Sequence, residues 1–97
     1  MMLVVVAYDV NTESELGKKR LRRVAKVCEN HGQRVQKSVF ECWVDVAQWV
    51  RFRGLLAKEI DARFDSLRFY FLGDNWRGRI EHVGANEGYE PDGPLII

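Results

Sequence analysis

Apolar residues crowd the start of the chain. From Met2 to Asp9, Leu3, Val5 and Ala7 fall on one side of an extended strand and Val4, Val6 and Tyr8 on the other. With both sides apolar, this is a central strand covered on both faces, and in so short a chain the second cover is expected from a partner. The pattern then changes period. Thr12 and Glu15 have the spacing of a capping box, and Leu21, Val24, Ala25 and Cys28 follow at i, i+3, i+4 and i+7, which predicts a first helix. Glu13 and Gly17 leave its exact start open. His31, near the carbonyl end of the helix dipole, and Gly32, as a left-handed cap, are expected to close it.

Residues 33–36 and 38–44 read as two strands, through Val35, Val39, Phe40, Trp43 and Val44, with Lys37 as a tight turn or a bend between them. Asp45 and Gln48 repeat the capping-box spacing, and Trp49, Phe52, Leu56 and Ile60 lay an apolar stripe along a second helix. Residues 66–72 form another strand, expected beside the first. After Gly73, Asp74 and Asn75, weak alternation over 79–83 suggests a fifth, edge strand.

The order strand, helix, strand, strand, helix, strand predicts an α+β fold of the ferredoxin-like βαββαβ kind, both helices covering one face of an antiparallel sheet. The domain is expected to span residues 1–83. The open face would then carry large apolar side chains and pack against a second copy, sheet to sheet, as a homodimer. Leu95, Ile96 and Ile97 end a tail, residues 84–97, expected to add to a sheet edge of the partner.

Composition narrows the class. With 46% hydrophobic and 30% charged residues among 97, the chain is one folded domain rather than a disordered segment. The apolar start is too short to span a membrane and has no signal-peptide pattern, so a cytoplasmic protein is expected. Cys28 and Cys42 have no metal-ligand spacing and read as buried, reduced thiols. Net charge is only +1, but it is unevenly spread. Lys18, Lys19, Arg20, Arg22, Arg23 and Lys26 form a run without an acid, whereas acids prevail from Asp74 onward.

Two features carry candidate chemistry. Asp9 stands at the carboxyl end of the central strand, where a rigid scaffold can aim it. An Asp before Val-Asn-Thr also fits a turn or cap residue bonded to nearby amides. Two copies across a dimer axis could hold one Mg²⁺ between them, which would serve phosphodiester hydrolysis. The basic run could be a solvated helix face, but like charges without acidic partners repel, and phosphate would compensate them. Arg34 could grip a phosphate or pair with a carboxylate. His31 and His82 read as structural. Phe69, Tyr70 and Phe71 lack the basic-glycine-aromatic setting of an RNA-recognition motif and read as packing.

The strand Val5-Val6-Ala7-Tyr8-Asp9-Val10, the basic helix, and the run from Gly32 to Glu41 (Gly-Gln-Arg-Val-Gln-Lys-Ser-Val-Phe-Glu) together resemble the second core CRISPR-associated protein family. That family comprises small adaptation subunits also described as endonucleases. The resemblance covers nearly the whole chain, through Leu67-Arg68-Phe69-Tyr70. It implies a ferredoxin-like homodimer with Asp9 of each copy near the interface and available to Mg²⁺ or Mn²⁺. It also implies a nuclease acting on DNA or RNA, and a scaffold binding the integrase subunit and prespacer DNA during spacer acquisition in antiviral defence. By position, Tyr8 joins Asp9 in the catalytic site, Arg20 and Arg34 match phosphate contacts, and Ser38 and Phe40 match supporting residues.

The alternatives are a non-catalytic dimeric DNA-binding adaptor, in which Asp9 is a cap, and, more distantly, a small-ligand sensor with a pocket at the dimer seam.

Overall fold

A computed structural model describes residues 1–84 of the chain. β1 (Met2–Asp9) is followed by α1 (Glu15–Glu29), β2 (Gly32–Gln36), β3 (Val39–Val44), α2 (Val46–Glu59) and β4 (Ser66–Gly73). The strands form one sheet in the order β2-β3-β1-β4, and β1 is antiparallel to both of its neighbours. This is the expected ferredoxin-like arrangement. Among the described residues no helix is long and apolar enough to cross a membrane.

The helices lie on one face because that is where the sheet's large apolar side chains point. Val4, Val6, Tyr8, Phe40, Cys42 and Val44 from the strands meet Val24 and Cys28 of α1 and Phe52 and Leu56 of α2 in one buried cluster. Trp49 closes its rim, edge-on to Phe69 with ring centroids 4.9 Å apart and to Phe71 at 5.2 Å. Both cysteines are free and buried, and desolvation pushes each thiol up to about 12.

The ends of α1 differ from the expectation. Its N-cap is Ser14, not Thr12: the Ser14 hydroxyl accepts from the Gly17 amide at 3.0 Å, within hydrogen-bond range. Gly17 is required there, since a Cβ would stand 1.9 Å from the Asn11 carbonyl oxygen. At the other end Asn30 is the C-cap in the right-handed region, and Gly32 is already the first residue of β2. Close approach, not a left-handed turn, explains Gly32, because a Cβ would meet the Glu41 carbonyl oxygen at 2.1 Å. His31 does serve the carbonyl end, its Nδ1–H donating to Val27 at 2.8 Å while the ring stacks on Phe52. α2 starts as its sequence predicts, with the Asp45 carboxylate and Gln48 amide closing a reciprocal capping box.

No fifth strand forms over Arg79–Val83. Gly73 takes a φ of 70°, which turns the chain out of β4, and a short 3₁₀ turn follows at Arg77–Arg79. Arg79 is held in that turn by its amide on the Trp76 carbonyl at 2.9 Å and its guanidinium on the Leu72 carbonyl at 3.2 Å. The expected pairing of Leu95, Ile96 and Ile97 lies outside the described residues.

The open face is less uniformly apolar than its alternation suggests. In register across β3, β1 and β4, Val5 lies between Glu41 and Tyr70, and Ala7 between Val39 and Arg68. Leu3 is fully buried beside Trp43, which meets the Trp76 ring edge-on at 5.8 Å. An apolar strip therefore runs between one acid and one base, with Tyr70 half exposed.

Candidate functional site at the end of the central strand

The register that buries Val4, Val6 and Tyr8 brings Asp9 to the last rung of β1, opposite Ser66, with its side chain exposed. Among the described residues the Asp9 carboxylate makes no hydrogen bond or ion pair. Among these residues the Asp9 side chain does not serve as a turn cap, whichever function the chain performs. Asn11 takes that role instead, its Oδ1 accepting from the Glu13 amide at 2.9 Å, as the short carboxamide suits a turn two residues on.

Tyr8, Arg34, Ser38 and Phe40 are brought together at the β2–β3 turn, beside the strand end that bears Asp9. The Tyr8 amide donates to the Ser38 carbonyl at 3.1 Å, and its hydroxyl reaches the Lys37 carbonyl at 3.4 Å. The Tyr8 ring stacks 6.2 Å from Phe40, and the Arg34 guanidinium lies 4.8 Å above the Phe40 ring. Arg34 also donates to the Lys37 carbonyl and, at 3.3 Å, to the Glu29 carboxylate. The carboxylate partner is a half-exposed one. Burial raises the Tyr8 phenol above its ordinary value, with Arg34 opposing.

The basic run divides into tied and untied members. Lys18 pairs with Glu15 at 3.2 Å, an acid one turn back that a count within the run overlooks. Arg20 grips Asp65 with both ends of its fork, Nε to Oδ2 at 2.7 Å and Nη2 to Oδ1 at 3.2 Å. Lys19, Arg22, Arg23 and Lys26 are exposed and have no ion pair among the described residues.

Asp65 is a residue the sequence reading missed. It is the one buried charged side chain among the described residues, and its four acceptor contacts are all made. Besides the two from Arg20, Oδ1 accepts the Asn11 amide at 3.0 Å and Oδ2 the Asp61 amide at 2.8 Å. The Arg20 contact holds its carboxyl below the ordinary carboxylate value against the opposing effect of burial, helped by the two amides. Its partners lie 45 and 54 residues away along the chain, so no local pattern marks it.

Asp9 is a hard oxygen donor of the kind Mg²⁺ or Mn²⁺ takes. Among the described residues, no three His, Cys, Asp or Glu gather to hold a metal within one chain. At this strand end one copy offers a divalent ion one uncommitted carboxylate, that of Asp9.

The family model described as CRISPR associated protein Cas2 matches residues 2–80, which include every element and candidate residue above. The chain belongs to the Cas2 family. It is 62% identical over 96 residues to the CRISPR-associated endoribonuclease Cas2 of Chlorobaculum tepidum, covering 99% of this chain and 100% of that protein. It is 52% identical to the CRISPR-associated endonuclease Cas2 of Halalkalibacterium halodurans, with 99% and 100% coverage. The crystal structure of Streptococcus pyogenes Cas2 at pH 6.5 superposes with a TM-score of 0.76 at 55% identity, covering 86% of this chain and 100% of that one. Cas2 membership agrees with the strand ending in Tyr8-Asp9 and the Gly32–Glu41 run that the sequence singled out.

Proposed function

We propose that this Cas2-family chain is a metal-dependent endonuclease-like homodimer that acts on nucleic acid and scaffolds the integrase complex for spacer acquisition. The observation that carries the reading is Asp9: an exposed carboxylate on a rigid central strand, with no hydrogen bond or ion pair among the described residues. A carboxylate in that state is free for an external ligand. With a second copy packed on the open face, two such groups supply paired oxygens for Mg²⁺ or Mn²⁺, water completing the shell.

The bound ion would activate water and stabilise charge on the phosphodiester. The chain's own residues would place the substrate. Lys19, Arg22, Arg23 and Lys26 offer untied cations to phosphates, and the two helices together carry nine Lys and Arg against three Glu. Tyr8, with its ring in the core and its hydroxyl on the Lys37 carbonyl, supports the strand end rather than touching the scissile bond. Arg34, Ser38 and Phe40 hold the adjoining turn. The names endoribonuclease and endonuclease borne by the relatives support nuclease activity and leave both RNA and DNA as substrates to assay.

The test is a matched comparison of wild type and Asp9→Ala for dimerisation, duplex and RNA binding, Mg²⁺-dependent cutting and spacer acquisition. Loss of cutting by about 100-fold or more with the dimer intact is the expected result. Cutting that survives in rigorously purified Asp9→Ala protein would sink the catalytic reading. The untied cations of α1 favour a second reading, a non-catalytic dimeric adaptor: there Asp9→Ala leaves acquisition unchanged while Arg22→Glu with Arg23→Glu abolishes it.

A further inference from the structure

Among the described residues nothing holds the Asp9 side chain, so its aim depends on the backbone on either side. On the β3 side the Tyr8 amide is fixed to the Ser38 carbonyl. On the other side the fixing point is Asp65. It directly precedes Ser66, the cross-strand partner of Asp9, and it takes the amide of Asn11, two residues after Asp9. Arg20 clamps the same carboxylate from α1, and the Asp61 amide clamps it from the loop after α2. Gly17 lets the Asn11 carbonyl approach α1 closely, since a Cβ there would meet that oxygen at 1.9 Å. The loop after β1, helix α1 and the loop after α2 thus converge on one buried carboxylate beside the strand end.

We infer that Asp65, locked by Arg20, is the positioning residue that aims Asp9. This rests on the metal-site reading of Asp9 given above. A site shared between two copies tolerates little error, because each carboxylate must arrive within about 0.5 Å of its productive place. Arg20 then acts through Asp65 and not by touching phosphate. The two roles predict different behaviour: as a phosphate contact Arg20 would gain freedom when Asp65 is removed, whereas as a clamp the loss of Arg20 and the loss of Asp65 release the Asn11 loop alike.

The experiment titrates Mn²⁺ alone into the intact dimer by calorimetry for wild type, Asp9→Ala, Asp65→Asn, Arg20→Ala and the double variant Asp65→Asn with Arg20→Ala. Each protein is first checked for dimerisation and for thermal unfolding well above the assay temperature. We expect Asp65→Asn and Arg20→Ala each to weaken Mn²⁺ binding by about 10-fold or more, the double variant being no worse than either, with duplex affinity unchanged in all. Wild-type Mn²⁺ affinity in Asp65→Asn, when Asp9→Ala has lost the metal, overturns the inference and leaves the metal-site reading standing. Duplex affinity lost in Arg20→Ala and kept or raised in Asp65→Asn, with Mn²⁺ binding unchanged, also overturns it and makes Arg20 a phosphate contact. Mn²⁺ binding retained in Asp9→Ala overturns the metal-site reading itself. Should Asp65→Asn fail to fold, Arg20→Lys keeps the charge and loses the fork: weakening intermediate between wild type and Arg20→Ala supports the clamp, and none at all refutes it.

Discussion

The two faces of the sheet are built from alternate residues of the same strands, yet they end in different states. On the helix side Val4, Val6, Phe40, Cys42 and Val44 are all but completely buried within one chain. On the other side Val5 and Ala7 stay half covered, Tyr70 is 47% exposed, and Glu41 and Arg68 flank the strip. The helix-covered face is closed at its centre by intramolecular packing, with Phe71 of β4 still 56% exposed at its edge. The other has an apolar centre with a charge on each side, a composition suited to meeting another protein surface. Asp9 stands where the central strand runs out, so whatever covers the open face determines what the carboxylate meets.

Substitutions can separate the two faces. The largest effect is expected from Phe40→Ala, which empties the centre of the helix-covered side. Chemical denaturation should show a loss of about 3–5 kcal/mol, with the dimer lost as a consequence. If stability falls by much less, the Phe40 site collapses and the helix-covered face is softer than its burial implies. Tyr70→Glu should act the other way round. Sedimentation should show self-association weakened by about 10-fold or more, while unfolding of the dilute chain shifts by no more than about 0.5 kcal/mol. A dimer as tight as wild type would place the partner surface elsewhere.

The smallest effect depends on pH and belongs to the rim between the faces, where Asp65 is clamped. Its folded-state pKa lies below the ordinary 3.8, so the clamp contributes its full stability above that value and loses it as pH falls through the lower, folded-state one. The gap in Tm between wild type and Asp65→Asn should therefore be widest near neutrality and close below about pH 4. A gap independent of pH would mean that the carboxylate's charge contributes nothing. Asp61 is also pushed down, to about 2, by the Arg63 guanidinium and amide, but it is solvent-accessible and common to both proteins.

What could be read from the sequence was what repeats locally. The alternation of Met2–Asp9, the spacing of Asp45 with Gln48 and the stripe through Phe52 and Leu56 each occupy one element, and each element formed where its period placed it. The misreadings arose where two local signals competed or where the partner was distant. Thr12 and Ser14 both offer a capping hydroxyl, and the tight seat of Gly17 against Asn11 favours Ser14. Gly32 resembles a helix cap in sequence, but the approach of Glu41 and Cys42, nine and ten residues on, is what requires it. Asp9 was visible because it ends a strand. Asp65 was not, because Arg20 and Asn11 reach it only through the tertiary fold.

A chain that brings one carboxylate to a strand end has a statistical consequence if two copies build one site. In a mixed pool of intact and Asp9→Ala chains that exchange freely, the share of complete sites falls as the square of the intact fraction. A defective allele would then act dominantly, with an effect out of proportion to its dose. The same arithmetic makes subunit exchange a measurable clock, since activity would decay toward that square at the rate at which the dimers reshuffle.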